Sequence, residues 1–223
     1  MPGRSRGSLA DSRLTSLQRA VLEAFFRRER GFFLSGGGAL AGFYLGHRET
    51  HDLDLFTVEA SLEPGASALR EAADELGAAV ERLQTAPDFQ RWLVRRGSEA
   101  IVVDLVRERV PQLHADKRHV GALLIDPPEE IMANKLCALL SRAEIRDLVD
   151  VMALERAGYR VEDQIVGANR KDGGLTPAQL GWVLGGLELG DEAQLPGGVS
   201  PADLRAYLTE LRARLARIAF PIG

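Results

Sequence analysis

Apolar residues recur at helical spacing from Ser16 to Arg28, where Leu17, Val21, Leu22, Phe25 and Phe26 share a face and arginines take the other. This predicts an amphipathic helix. Phe32-Phe33-Leu34 then predicts a short strand, Gly36-Gly37-Gly38 a turn, and Ala39 to Gly46 a helix opening directly after it. The period changes to two from Asp52 to Val58, with Leu53, Leu55 and Thr57 on one face and Asp52, Asp54 and Phe56 on the other. A helix is predicted from Ser67 to Leu76. Strands follow around Ala79 to Gln84, Gln90 to Val94 and Ala100 to Arg107, with Arg96-Gly97-Ser98 turning between the last two.

After Asp126-Pro127-Pro128 the pattern is helical: Pro128 to Leu140, Ile145 to Ala157, Pro177 to Leu189, and a long helix capped by Ser200-Pro201 that runs to about Ala219. The expected organisation is α+β, a mixed sheet flanked by helices and followed by an all-helical part. Its expected bounds are a flexible N-terminus over 1–14, an α+β domain over 15–125 and a helical domain over 126–223. The first dozen residues, small and polar, predict a frayed end. Trp92, Trp182 and the phenylalanines read as core, and His114 and His119 as loop residues.

Composition changes this picture in two ways. Cys137 is the only cysteine among 223 residues, which excludes an internal disulfide and a cysteine-rich zinc cage and makes a reducing, cytoplasmic setting the expectation. No apolar span of about 20 residues occurs, so no membrane association is expected. The net charge of −4 argues against non-specific coating of nucleic acid, although Arg27-Arg28-Glu29-Arg30 and Arg95-Arg96 concentrate positive charge locally.

The candidate chemistry begins with the glycines. A strand that ends in glycine and enters a helix N-terminus offers backbone N–H groups and the positive end of a helix dipole to a phosphate, with no Cβ in the way. The same pattern also describes plain connections. A Walker loop is excluded because SGGGALAG contains no lysine. Gly36 to Ala41 satisfies the glycine spacing of a dinucleotide fold, but the ribose-binding acid should lie about 20 residues on, and Asp52 comes too early.

Asp52 and Asp54, two apart on a strand, project side by side, and a divalent cation relieves their repulsion. Oxygen-only donors favour Mg²⁺ or Mn²⁺ over zinc. A solvated sheet edge would show the same two residues. Asp104, inside the apolar run Ile101-Val102-Val103-Asp104-Leu105-Val106, is a third carboxylate that needs a compensating charge or metal. Three strand carboxylates and a glycine loop suit metal-assisted nucleotidyl transfer, with Asp104 placed to draw the proton from an attacking hydroxyl. His47 and His51 are four apart, but no helix is predicted to span them, which argues against a zinc site.

The strand, Gly-Gly, helix, Asp-x-Asp order resembles the DNA polymerase β nucleotidyltransferase superfamily. The wider string Gly36-Gly37-Gly38-Ala39-Leu40, Gly46-His47-Arg48, Asp52-Leu53-Asp54-Leu55-Phe56 is similar to its AbiEii/AbiGii branch. A second block, Glu130 to Leu139 with Lys135, then Arg142, Arg146-Asp147 and Asp150, matches the branch as well. The resemblance covers roughly residues 15 to 157. It implies a polymerase β-like head and an enzyme that moves a nucleoside monophosphate from an NTP to a hydroxyl with release of pyrophosphate. Asp52, Asp54 and Asp104 would be catalytic and would hold Mg²⁺ or Mn²⁺. Gly36, Gly37, Gly38, Arg48, Lys135, Arg142 and Asp147 would serve the NTP, Lys135 as a point charge on the triphosphate and Asp147 as an anchor for a cation. Asp150 would be structural. Arg91 and Arg95 are the nearest candidates for a basic motif that some members carry between Asp-x-Asp and the third aspartate. In toxin-like members the implied acceptor is the tRNA 3′ end and the implied partner a separate antitoxin protein. Arg205, Arg212, Arg214 and Arg217 of the terminal helix are candidates for a basic path to such an acceptor. The alternatives are a small-molecule or protein acceptor, or a non-catalytic nucleotide-binding relative.

Overall fold

The computed structural model describes residues 13–221, so residues 1–12 of the expected flexible N-terminus lie outside the described residues, while Leu14, within its expected bounds, is buried. The chain divides into two compact units, one of residues 13–109 and 115–127 and the other of residues 110–114 and 128–221.

In the first unit, α1 (Ser16–Arg28) opens on a capping box: the Gln18 amide donates to the Thr15 hydroxyl at 3.2 Å, and the Thr15 amide donates to Gln18 Oε1 at 2.8 Å. Seven strands form one mixed sheet: β1 (Phe32–Ser35), β2 (Asp52–Thr57), β3 (Ala79–Ala86), β4 (Phe89–Arg96), β5 (Glu99–Arg107), β6 (Arg118–Val120) and β7 (Leu123–Ile125), in the order β3-β4-β5-β2-β1-β7-β6. β1 runs antiparallel to β2, while β2 runs parallel to β5 and β1 parallel to β7.

Register divides the sheet into two faces. Leu34 lies opposite Leu55 and Ile125, Leu53 opposite Val103, and Val103 opposite Trp92, so these buried side chains share one side. α1 packs on α3 (Glu63–Glu75) and on β5 and β7, and Phe25 meets Phe32 edge-to-face at 5.6 Å. Ser35, Asp54, Asp104 and Arg91 are matched across β1, β2, β5 and β4 on the other side. A period of two therefore gives one sheet a dry face and a charged one.

The glycines behave differently from the expected turn. Gly36 alone reverses the chain, with φ +64°, and the helix α2 (Gly36–Ala39) starts at once, so the three glycines are its first turn. It continues as a π-helical turn over Leu40–Tyr44, closed by the Leu45 amide donating to the Leu40 carbonyl at 2.8 Å. α3 begins four residues before the predicted Ser67 because Pro64, without an N–H, suits a first turn. β6 and β7 were not predicted; three residues each are too few to show a period, and β6 places His119 in a strand rather than a loop.

The second unit holds α4 (Pro128–Arg142), α5 (Ile145–Arg156), α6 (Val161–Lys171), α7 (Pro177–Gly185) and α8 (Pro201–Ala219). Two expected core residues are on the outside. Trp182 lies two positions from both Leu180 and Leu184, the buried pair of α7, so the helical period turns it outward and it is 75% exposed. Phe220, past the end of α8, is 72% exposed.

Residues 110–114 are tied to this unit by Glu130, which is wholly buried, accepts the Leu113 and His114 amides at 2.8 and 2.7 Å, and pairs with Lys171. Glu155 joins α5, α6 and α8: it accepts the Tyr207 hydroxyl at 2.7 Å, Arg214 Nη1 at 2.9 Å and the Val161 amide at 3.2 Å. Burial pushes this carboxyl up, but the hydrogen bonds from Arg214 and Tyr207 outweigh it and hold the group below its ordinary 4.5. Its stabilisation is therefore complete above pH 4.5 and disappears as pH falls through the depressed native value. Thermal melts from pH 6 downward should show the melting temperature falling in that acidic range, with a shallower fall in Glu155→Gln; identical slopes would remove Glu155 from the acid response.

Candidate active site

Each of the three glycines admits a group from the segment that leads into and forms β2. A Cβ on Gly36 would stand 2.3 Å from Asp54 Oδ2, one on Gly37 would stand 2.5 Å from Arg48 Nη2, and one on Gly38 would stand 3.3 Å from the Asp52 carbonyl oxygen. The missing side chains let the first turn of α2 close onto Asp54 and Arg48. Arg48 is buried and donates to the Glu49 carbonyl at 3.0 Å, and Ser35, opposite Asp54, carries a buried hydroxyl with no hydrogen-bond partner among the described residues. Gly36, Gly37, Gly38, Arg48, Asp52 and Asp54 are thus brought together.

Asp54 pairs in register with Asp104 across parallel strands, about 4.8 Å apart by ordinary sheet spacing. Both oxygens of Asp104 are engaged by Arg91: Nε donates to Oδ1 at 2.9 Å and Nη2 to Oδ2 at 2.7 Å. The hydrogen bond to Asp104 holds the guanidinium more firmly in its charged form; burial opposes this, and the charges of Asp104, Asp52 and Asp54 add to it. Arg95 instead pairs with Glu81 at 3.5 Å, both well exposed. Among the described residues no three His, Cys, Asp or Glu side chains form a metal cluster by themselves.

Lys135, Arg142 and Asp147 are together in the second unit. α4 places Lys135 and Arg142 seven residues apart on one face, and α5 supplies Asp147 and Asp150. Lys135 Nζ lies 2.6 Å from Asp147 Oδ1 and 2.7 Å from Asp150 Oδ2, while Arg142 Nε donates to Asp147 Oδ2 at 2.9 Å. Burial alone would lower the lysine pKa, but Asp150 and Asp147 more than reverse this and hold it above 10.5. Both aspartates are fully buried, whereas the Arg142 side chain is 45% exposed. Asp147 therefore binds both cations, and Lys135, expected as a point charge for the triphosphate, is enclosed between Asp147 and Asp150.

A sheet whose glycine-opened helix closes onto an Asp-x-Asp strand, with helices around it, is a nucleotidyltransferase-like α+β fold. The match to the family model described as "Nucleotidyl transferase AbiEii toxin, Type IV TA system" extends over residues 20–216, and the chain belongs to that family. Among solved structures it is similar to JHP933 from Helicobacter pylori, with a TM-score of 0.60 and 18% identity over 91% of this chain and 90% of that one. It is also similar to a second solved H. pylori structure, of a proposed nucleotidyltransferase, with a TM-score of 0.54 and 16% identity over 91% and 94% of the two chains. No curated protein matches the chain.

Two substitutions test this geometry. Lys135→Ala leaves two buried carboxylates without their shared cation and should cost about 3–5 kcal/mol of stability in urea denaturation. An unchanged midpoint would show that the cluster does not hold α4 to α5. Gly36→Ala combines a left-handed backbone, which costs a side chain about 1–2 kcal/mol, with displacement of the Asp54 carboxylate. Its stability should fall by about that amount, read from the same urea curves; a neutral substitution would contradict the close approach.

Proposed function

We propose that the protein transfers a nucleoside monophosphate from an NTP to a hydroxyl acceptor, with Mg²⁺ or Mn²⁺ held by Asp52 and Asp54. The observation that supports this best is the Asp54 carboxylate seated on Gly36, on the charged face it shares with Asp52. The donors suit such a cation: Mg²⁺ commonly takes one or two carboxylates and completes its shell with water and substrate phosphates, so a closed cage of three protein acids is not required. When bound there, the cation polarises the phosphoryl oxygens and offsets the charge of the leaving group.

The chain's own groups set the rest of the site. The first turn of α2 and Arg48 present N–H donors to a phosphate. The acceptor oxygen forms a bond to the α-phosphorus, the bond from that phosphorus to the α–β bridging oxygen breaks, and pyrophosphate leaves with the electron pair. The hydroxyl proton passes to solvent or to an acidic side chain. Within the second unit, Arg142 is the exposed cation of its cluster, held by Asp147.

Family membership supports a toxin setting, with the tRNA 3′ end as the acceptor we propose and a separate antitoxin as partner. No helix among the described residues is long and apolar enough to cross a membrane, which fits the cytoplasmic setting we propose. Of the terminal-helix arginines, Arg214 is engaged by Glu155 and Glu162 and Arg205 by Asp191, so Arg212 and Arg217 are the exposed ones left to meet a polyanion.

The test is incubation with each α-³²P-labelled NTP, Mg²⁺ and total tRNA, with Asp52→Ala/Asp54→Ala as control. Label should appear on RNA and fall by about 10²-fold or more in the control, which keeps its fold because both side chains lie on the polar side of a strand. Label on protein alone would replace the RNA acceptor with a protein one, and equal labelling by the control would overturn the site.

A further inference from the structure

On the polar face of the sheet Asp104 is paired with Arg91, and the geometry of the pair differs from what a metal-binding acid would need. The Asp104 side chain is 7% exposed and that of Arg91 42%, so the acid is sealed in while the cation is presented. Two nitrogens of the guanidinium meet the two carboxylate oxygens in a bidentate pair, the arrangement that fixes orientation as well as charge. The guanidinium is held a second time, 5.5 Å from the ring centre of Phe89, two residues earlier on the same face of β4. Nη1 is the one terminal nitrogen outside the pair with Asp104.

Charge points the same way. Asp104 and Arg91 balance each other, so Asp104 needs no divalent cation to offset its charge. A cation shared by Asp52 and Asp54 leaves Asp104 to its guanidinium.

We infer that Asp104 is a positioning residue that aims Arg91 at the triphosphate of the bound nucleotide, and that the divalent cation is held without it. This rests on the nucleotidyltransferase reading above. It changes the role expected for Asp104 from its sequence, since both of its oxygens are held in a bidentate pair and neither is turned to a cation or to an attacking hydroxyl. Arg91 joins the residues that touch substrate, and Lys at this position is not equivalent because it cannot form the fork.

The experiment measures binding rather than turnover, with two probes: Mn²⁺ alone, followed by electron paramagnetic resonance, and the α,β-methylene analogues of ATP, GTP, CTP and UTP with Mg²⁺, followed by calorimetry. Arg91→Gln should weaken the best-bound analogue about tenfold or more, as expected for loss of a charge-assisted contact, and leave Mn²⁺ affinity within about twofold. Asp104→Asn should weaken the analogue less, and the double variant should match Arg91→Gln, because Asp104 acts through the arginine. Arg91→Lys keeps the buried acid paired and should still bind the analogue more weakly than the native protein, which separates the effect from misfolding.

The inference is overturned if Asp104→Asn loses Mn²⁺ affinity about tenfold, or if Arg91→Gln gains it, since Asp104 would then be a ligand masked by the guanidinium. Unchanged analogue binding in Arg91→Gln, with binding still dependent on Asp52 and Asp54, defeats the inference alone. An analogue that the native protein does not bind, or binds equally after Asp52→Ala/Asp54→Ala, defeats the nucleotide reading and the inference together.

Discussion

The contact of Asp54 with the backbone of Gly36 is the constraint from which the first unit takes its form. β1 and β2 pair with Ser35 opposite Asp54, so the end of one strand and the acid of the other are forced side by side. A chain leaving β1 must clear that carboxylate at once. Gly36 does so with a left-handed backbone and no Cβ, and Gly37 and Gly38 keep the next positions open for Arg48 and the Asp52 carbonyl. An ordinary side chain at Gly36 would push the acid away or delay the helix, and either would break the link between its first turn and β2.

The sheet converts that local contact into a site. Because strands alternate, register fixed by Leu34, Leu55 and Leu105 on the buried face also fixes Asp54, Asp104 and Arg91 on the other. A slip of one residue would put the acids into the core, at a cost far above that of any single contact. Hydrophobic burial beneath α1 and α3 thus supplies the precision of the charged face, although none of the apolar residues touches it.

Much of this was legible in the sequence. The period-two alternation of Asp52 to Thr57 gave the two faces of β2, and the capped, amphipathic segments gave α1, α4, α5 and α8 within a few residues. What escaped had physical reasons. β6 and β7 draw their order from pairing with each other and with β1, which no local pattern reports. The glycine run was legible as a special place, but its use was only partly so: glycine permits close approach without saying of what, and here it admits the chain's own Asp54 and Arg48. α6 carried a readable stripe, Val161, Ile165 and Ala168, whose short side chain at the third position weakens the signal. Exposure of Trp182 was readable from its offset against Leu180 and Leu184, and residue type alone misplaced it. Partners of a charge are the hardest to read: Arg91 and Asp104 are thirteen residues apart, and only the antiparallel pairing of β4 and β5 joins them.

Two of the charged groups among the described residues differ in kind. Lys135, Arg142, Asp147 and Asp150 balance one another, and three of the four are buried, so the group is complete as it stands and its removal is felt as instability. Asp52, Asp54, Asp104 and Arg91 do not balance, and adding Arg48 still leaves them negative. Carboxylates placed side by side on one sheet face repel each other, so their placement there opposes stability rather than adding to it. An excess of this sign beside a helix N-terminus fits the cation and phosphate chemistry proposed for the first unit.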